Sequence, residues 1–251
     1  MAGLWVIVPT YDEAASIERL LRSVAGILAD AAPGDHRILV VDDGSPDGTA
    51  EIAERLGAEL GVVEVLRRRE KNGLGQAYLA GFAHALAAGA ERVCEMDADL
   101  SHDPAHLPAL LAAAQGADVV LGSRYVTGGG VTDWGLPRRL LSRGGCVYAG
   151  LILGLPQRDL TGGYKVIHRR VLEAIELESV RSQGYVFQIE ITYRAVLAGF
   201  RVVEVPITFR ERDAGTSKMS ARIALEAMWR VPRLRWTAPR AVAPRRGRRR
   251  R

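Results

Sequence analysis

The feature that most constrains this chain is an alternation. Through the first 121 residues, short runs of Val, Ile and Leu are separated by longer segments with helical spacing. Residues 4–8, 38–41, 62–66, 93–96 and 119–121 are short apolar runs, broken only by Glu64 and Glu95, as strands buried on both faces of a parallel sheet are. Between them, residues 13–28, 47–60, 74–88 and 104–114 repeat apolar side chains at helical intervals. Asp47 stands where a helix cap is needed, and Asp103 followed by Pro104 opens another helix with proline in its first turn. This alternation predicts an α/β domain with a doubly wound, mostly parallel sheet flanked by helices. Ligands of such sheets lie beyond the carboxyl ends of the strands. A chain of 251 residues is long enough to give such a domain a substantial core.

After Gly122 the pattern changes. Residues 125–135 form a Gly-rich loop, and 137–153 have the spacing of an amphipathic helix. Residues 164–167 and 202–209 predict strands, 188–197 a helix between them and 217–230 a last helix. From Pro232 onward Arg, Pro and Ala dominate, a composition that predicts little fixed structure. The expected organisation is one domain over residues 1–231 and an Arg-rich tail over 232–251. The last 30 residues hold eleven arginines against one acid, Glu226, a net of +10, so the other 221 residues sum to −5 although the whole chain is +5. Such a tail is a solvated extension or has an anionic partner. Nucleic acid is not expected: no aromatic residue follows Trp236 among the arginines, and the acidic body repels a duplex.

Residues 4–8 are too few for a leader and end at Pro9. Residues 140–155, the longest apolar stretch, are broken by Arg143, Gly144 and Gly145 and fall short of the roughly 20 residues of a span. No transmembrane helix is expected. Cys94 and Cys146 make neither a disulfide framework nor a metal-ligand spacing. Cys94, inside a strand-like run, reads as a buried reduced thiol and points to a cytoplasmic setting.

The sharpest local motif is Met96-Asp97-Ala98-Asp99, directly after a strand. Residues two apart on extended chain point to the same side, and two carboxylates there repel unless a cation shares them. Mg²⁺ binds through one or two carboxylates and substrate phosphates, so the pair suits a diphosphate-metal site. Solvated or capping acids give the same pattern. The first strand ends in V-P-T-Y-D-E and the second in V-D-D-G-S-P-D-G-T, which bring further acids and hydroxyls to the same sheet edge. The second motif is also good turn chemistry. Gly73 and Gly75 do not make a dinucleotide fingerprint, because Tyr78 occupies the third glycine position. His102 and His106 are expected in surface or capping roles.

In this order, these motifs resemble glycosyltransferase family 2 and its GT-A type fold. Over about residues 4–220 the chain is most similar to the polyprenol-phosphate (dolichol-phosphate) mannosyltransferases. The narrower motifs are M-D-A-D-L-S-H, G-S-R-Y from Gly122, D-L-T-G-G-Y from Asp159 and G-T-S-K from Gly215. The resemblance implies transfer of mannose from GDP-mannose to a polyprenyl phosphate, with Mg²⁺ or Mn²⁺. It implies that Pro9, Tyr11, Glu13, Val41 and Asp43 line the nucleotide pocket, and that Asp97, Ala98 and Asp99 hold the diphosphate and metal. Ser101 joins the metal site by the same resemblance, standing where some relatives have a longer Gln. Arg124, Arg212 and Lys218 would meet phosphates, with Asp99 and Arg124 as the catalytic pair. Arg124, Arg138 and Ser142 would meet the acceptor phosphate. Asp12 departs from the family, where Asn is frequent. Some relatives append transmembrane helices; this one is expected to sit peripherally on the cytoplasmic membrane face. The proposed means are the 137–153 helix and the basic tail on an anionic surface, or a membrane-protein partner. The rival readings are a UDP-glucose:polyprenyl-phosphate glucosyltransferase, a transferase acting on a polysaccharide hydroxyl, and a non-catalytic membrane-bound scaffold of the same fold.

Overall fold

The computed structural model of the chain describes residues 3–210 and 221–237. In chain order the elements are β1 (Leu4–Thr10), α1 (Ile17–Ala31), β2 (His36–Asp42), α2 (Thr49–Leu60), β3 (Val63–Arg67), α3 (Leu74–Ala87), β4 (Arg92–Glu95), α4 (Leu107–Ala113), β5 (Val119–Ser123), β6 (Gly130–Val131), α5 (Leu136–Leu153), β7 (Lys165–His168), α6 (Arg169–Ala174), α7 (Gly184–Leu197), β8 (Val202–Pro206), β9 (Thr208–Phe209) and α8 (Ala221–Thr237). The strand–helix alternation expected up to residue 121 is thus present. The Asp103 cap is made, its carboxylate accepting from the Ala105 N–H, whereas the cap position of α2 is taken by Gly48, and Asp47, one residue earlier, accepts from the Thr49 N–H.

One sheet has seven strands in the order β3-β2-β1-β4-β7-β5-β8. Its neighbours are parallel except at β7, which is antiparallel to both β4 and β5. The strand expected over residues 202–209 is divided. β8 joins the large sheet, and beyond Ile207 the chain pairs as β9 with β6 in a small second sheet.

Side-chain alternation along β1 supplies both faces of the sheet. Leu4, Val6 and Val8 pack with Ile17, Leu20, Leu21, Val24 and Leu28 of α1 and with Leu107 and Leu110 of α4. Trp5 and Ile7 pack oppositely, with Tyr78 and Phe82 of α3 and Phe187 and Ile191 of α7. α3 lies so close that a Cβ at Gly81 would come within 2.4 Å of the Ile7 side chain. A third core joins Ala149 and Leu153 of α5 to Val186, Ile189 and Tyr193 of α7 and Val231 and Leu234 of α8.

α5 has two apolar faces. Ser142, Cys146, Ala149 and Leu153 point inward, while Leu136, Leu140, Leu141, Val147 and Leu151 are exposed, Leu151 by 78%. The inward face packs in the third core, and the outward face carries the apolar residues that an amphipathic helix was expected to present. Among the described residues no helix is long and apolar enough to cross a membrane.

α8 corrects the sequence reading. It runs past residue 230, where its end was expected, and through Pro232, where structure was expected to fade. Packing outweighs the proline: Val231 and Leu234 are buried, and Arg235 donates to the Ile152 carbonyl at 2.9 Å. Pro232 has no N–H for the carbonyl four residues back. That carbonyl belongs to Met228, and the Tyr148 hydroxyl donates to it at 2.8 Å. Residues 238–251 of the expected tail lie outside the described residues.

This repair is testable by a double-mutant cycle in urea. Tyr148→Phe should cost about 1 kcal/mol, the usual net value of one hydrogen bond. In a Pro232→Ala background the cost should fall by more than half, because Met228 regains its helical donor. Equal costs in the two backgrounds would refute the assignment.

Candidate active site

From β1 the chain moves to β2 on one side, while β4 pairs on the other. The loops beyond the carboxyl ends of β1 and β4 therefore diverge and leave a crevice, the usual ligand position in an open α/β sheet. The loops after β1 and β2 are stitched together. The N–H groups of Asp12, Glu13 and Ala14 donate to Ser45 Oγ, Thr49 Oγ1 and Asp47 Oδ2 at 3.1, 2.9 and 2.9 Å. Asp42 accepts from the Thr10 hydroxyl, the Gly44 and Ser45 N–H groups and the Ser45 hydroxyl. The turn reading of V-D-D-G-S-P-D-G-T therefore holds for most of its polar residues.

Asp43 differs. It is buried, and its Oδ1 accepts from Arg68 at 2.5 Å. Burial pushes its carboxyl above the ordinary value, and the Arg68 charge offsets that only in part. The Lys71 ammonium sits 3.4 Å from the centre of the Tyr11 ring. Tyr11, Asp43, Arg68 and Lys71 thus line one end of the crevice with an aromatic face, an acid and two cations. Pro9 and Val41 are buried strand residues, and Val41 packs in the α3 core, so its main chain is what a ligand can reach. Glu13 Oε2 accepts from the Ser16 hydroxyl at 3.0 Å.

Beyond β4, Asp97 is half-buried and Asp99 buried. Asp97 Oδ1 accepts from the Tyr78 hydroxyl at 3.2 Å, and Asp99 Oδ1 from the Ser101 N–H at 3.1 Å. Between them and Ser101, Leu100 has φ +63, a left-handed conformation that costs a non-glycine residue about 1–3 kcal/mol and collects at functional sites. The Ser101 hydroxyl is fully buried and has no hydrogen-bond partner among the described residues. Gly163, from D-L-T-G-G-Y, lies against this cluster. A Cβ there would stand 3.6 Å from Asp97 Oδ1 and 3.4 Å from Gln188 Nε2.

His102 is not the expected surface or capping residue. It is buried, stacked on Tyr164, and its Nδ1 accepts the Asp97 N–H at 3.0 Å. Burial lowers its pKa despite the Asp97 and Asp99 charges. The ring is therefore neutral, and its lone pair is already used. His106 Nε2 accepts from the Thr208 N–H at 3.1 Å, bracing the chain between β8 and β9. Beneath Asp97, Glu95 and Lys165 face each other across β4 and β7, both fully buried. Lys165 donates to the Gln188 carbonyl at 2.8 Å and to its side-chain oxygen. Burial pushes the Glu95 carboxyl up and the Lys165 ammonium down, each opposed by the other's charge.

The described residues contain no cluster of three or more His, Cys, Asp or Glu side chains able to cage a metal. What the crevice offers is two carboxylates and an unpartnered hydroxyl, with the nearby imidazole engaged elsewhere. This all-oxygen, incomplete set fits Mg²⁺ or Mn²⁺ shared with a diphosphate.

Arg124 departs from expectation. Its Nε and Nη2 donate to the two Asp159 oxygens at 2.7 and 2.6 Å, and Nη2 also to Thr161 Oγ1 at 2.9 Å. The bidentate edge expected to grip phosphate is filled by a carboxylate, and the residue is buried. Its guanidinium lies 5.2–5.5 Å from the ring centres of Tyr125, Trp134 and Phe209. Arg138 and Ser142 share this neighbourhood: the Arg138 guanidinium is 4.1 Å from the Trp134 ring centre, and Ser142 Oγ accepts from Tyr125 at 2.7 Å. Arg212 and Lys218 lie outside the described residues. The sequence reading missed Arg68, Lys71, Tyr78 and Trp134, which no motif flags, and gave no role to Asp159 or Gly163, although D-L-T-G-G-Y was visible.

Removing one partner of a buried pair strands the other's charge. Asp159→Ala should therefore cost about 3–5 kcal/mol in urea unfolding. Burial alone raises the Asp159 carboxyl, but Arg124's charge and hydrogen bonds outweigh it and hold it below the ordinary 3.8. Its contribution should be fully present above that ordinary value and disappear as pH falls through the lower folded value. Asp159→Asn should lack this acid-side loss; an unchanged pH–stability curve would overturn the account.

Comparison with known proteins places the chain in a family. The glycosyl transferase family 2 model matches residues 5–176. The chain is 46% identical to undecaprenyl-phosphate mannosyltransferase of Micrococcus luteus, over 94% of this chain and 96% of that one. It is 49% identical to polyprenol monophosphomannose synthase of Mycolicibacterium smegmatis, over 90% and 84% respectively. Glucosyl-3-phosphoglycerate synthase from Mycobacterium tuberculosis, solved with Mn²⁺ and UDP, superposes with a TM-score of 0.63 at 19% identity, covering 98% of this chain and 82% of that one. A Pyrobaculum calidifontis mannosyltransferase in complex with GDP-Man and Mn²⁺ gives 0.60 at 20%, covering 89% and 60%. These two share the fold, and the expected GT-A type architecture of a mostly parallel sheet between helices is the one observed. The chain belongs to glycosyltransferase family 2.

Proposed function

We propose that the chain transfers mannose from GDP-mannose to a polyprenyl phosphate at a membrane surface, with inversion at the anomeric carbon. The reading is supported by the two curated relatives, whose names specify mannosyl transfer to a polyprenyl phosphate, matched over at least nine-tenths of this chain. The observation of the site that carries it is His102. The imidazole beside Asp97 and Asp99 accepts the Asp97 N–H, so its Nδ1 is not available as a base. A hydroxyl acceptor needs a general base, whereas a phosphate monoester, with its second pKa near 6, arrives largely dianionic at pH 7.

In this proposal Tyr11, Asp43, Arg68 and Lys71 receive the nucleoside, and Asp97 and Asp99, with Ser101, hold a divalent cation. Bound by these residues, a divalent cation would supply positive charge to the departing diphosphate. Arg138, Arg212 and Lys218 supply positive charge to the phosphates. Ser142 and Tyr125 orient the acceptor phosphate, one oxygen of which attacks the anomeric carbon from the face opposite the leaving group. Arg124 acts through its pair with Asp159, which fixes the loop carrying Tyr125.

The acceptor's prenyl chain stays in the bilayer, so the crevice must come to the membrane. Leu136, Leu140 and Leu151 of α5 and Met228, Trp229 and Trp236 of α8 are exposed on two helices that pack together. Apolar side chains with Trp and flanking Arg139 and Arg143 suit a headgroup boundary.

Asp99→Ala should reduce mannosyl transfer at least a thousandfold and abolish Mn²⁺-dependent binding of GDP-mannose, measured by calorimetry, with an unchanged circular dichroism spectrum. Near-normal turnover would sink the metal assignment, and equal use of UDP-glucose by the native protein would sink the donor. In flotation with anionic liposomes, binding should weaken as salt rises, and Leu140→Glu with Trp229→Glu should lower it at least tenfold. A native protein that ignores such liposomes at low salt depends on a membrane-protein partner instead.

A further inference from the structure

We propose that Tyr78 is a positioning residue for the cation site: its phenol orients Asp97, and α3 is seated so as to hold it there. The proposal rests on the assignment of Asp97 and Asp99 to a divalent cation above and extends it to a residue outside the acidic pair.

Tyr78 stands where a dinucleotide fingerprint would have its third glycine, three residues after Gly75. It is fully buried. Its ring centre lies 5.9 Å from those of Phe82 and Phe187, and its plane is within 4° of that of Phe187. From inside this stack its hydroxyl reaches Asp97 Oδ1 at 3.2 Å. A phenol, with a pKa of about 10, is protonated at neutral pH and donates to the carboxylate.

Two glycines fix the place of that hydroxyl. Gly75 lies against the segment that enters α7: a Cβ there would stand 2.7 Å from the Ser182 carbonyl oxygen and 3.0 Å from the Phe187 ring. Its N–H also donates to Gln183 Oε1 at 3.2 Å. Gly81 lies against β1, where a Cβ would come within 2.4 Å of the Ile7 side chain. It is retained in a helix interior, where glycine is disfavoured. Residues three apart are neighbours on a helix surface, so Gly75, Tyr78 and Gly81 follow one another along the side of α3 that meets α7 and the sheet. The close approach on either side of Tyr78 leaves its ring little room to shift.

Asp97 needs such support. The terminal torsion of an aspartate is broad, whereas a cation shared by Asp97 and Asp99 requires both carboxylates in place at once. The main chain at Asp97 is held by His102, which accepts its N–H, and the side chain is held by Tyr78. Hydrogen-bonded at Oδ1, the carboxylate retains Oδ2 for a cation. Outer groups that orient metal-ligating side chains are typically worth about 10–100-fold in metal affinity.

The test measures Mn²⁺ binding to the full chain in the presence of GDP, by the electron paramagnetic resonance signal of free Mn²⁺. Tyr78→Phe keeps the ring stack and removes only the hydroxyl. It should raise the Kd for Mn²⁺ at least tenfold and lower Tm by no more than about 4 °C, the effect of one hydrogen bond in a chain of this size. Phe82→Leu disturbs the stack and keeps the hydroxyl, so it should lower Tm further and leave the Kd within twofold of native. A Kd within twofold of native in Tyr78→Phe, or an equal loss of affinity in Phe82→Leu, would overturn the role of Tyr78 and leave the cation site standing. A native protein that binds no Mn²⁺ with GDP present would refute the cation assignment itself, and the proposal with it.

Discussion

β1 is the strand on which the rest depends. It is hydrogen-bonded along both edges, to β2 and β4, and all seven of its residues are buried. Its odd and even side chains nucleate opposite cores. Because the chain winds away from it in both directions, the loops after β1 and β4 cannot close over each other. The crevice is thus a consequence of strand order, and every acidic motif of the chain follows a strand that ends at it.

The half of the molecule after Gly122 is attached to this frame partly by buried charge. Arg124 and Asp159 join the end of β5 to the loop before β7, while Glu95 and Lys165 stand opposite each other in register on β4 and the reversed strand β7. Within α7, Glu190 pairs with Arg194, whose guanidinium also reaches the Ile175 carbonyl after α6. Replacing such pairs by apolar residues is often no loss in stability, whereas breaking one is expensive. Their effect is therefore on uniqueness: each fixes one register. Glu95 and Lys165 lie directly behind Asp97, so the position of the acidic pair depends on charges that never meet the substrate.

α5 and α8 follow another logic. α5 carries apolar residues on two faces, which would be a liability for a helix with water outside. α8 survives an internal proline because α5 supplies both a packing surface and the hydroxyl that satisfies Met228. Two helices so interdependent, presenting Leu and Trp outward, form one apolar surface.

The sequence by itself determined the order of strands and helices up to residue 121, the sheet class and the acidic edge. Period and polarity are local, and burial on two faces leaves an unmistakable apolar run. The motifs were also enough to indicate the family, because residues such as Asp97 and Asp99 are constrained one by one by chemistry. What only the tertiary structure decided was which polar groups find each other. Arg124 reads from sequence as a phosphate ligand and is found on Asp159, 35 positions away. His102 reads as a surface residue and is a buried acceptor, and Pro232 reads as a helix breaker and is accommodated by Tyr148. For Arg124 and Pro232 the deciding hydrogen-bond partner is remote in sequence, and for His102 the stacking partner Tyr164 is; a contact across such a separation leaves no periodic trace in the chain that makes it.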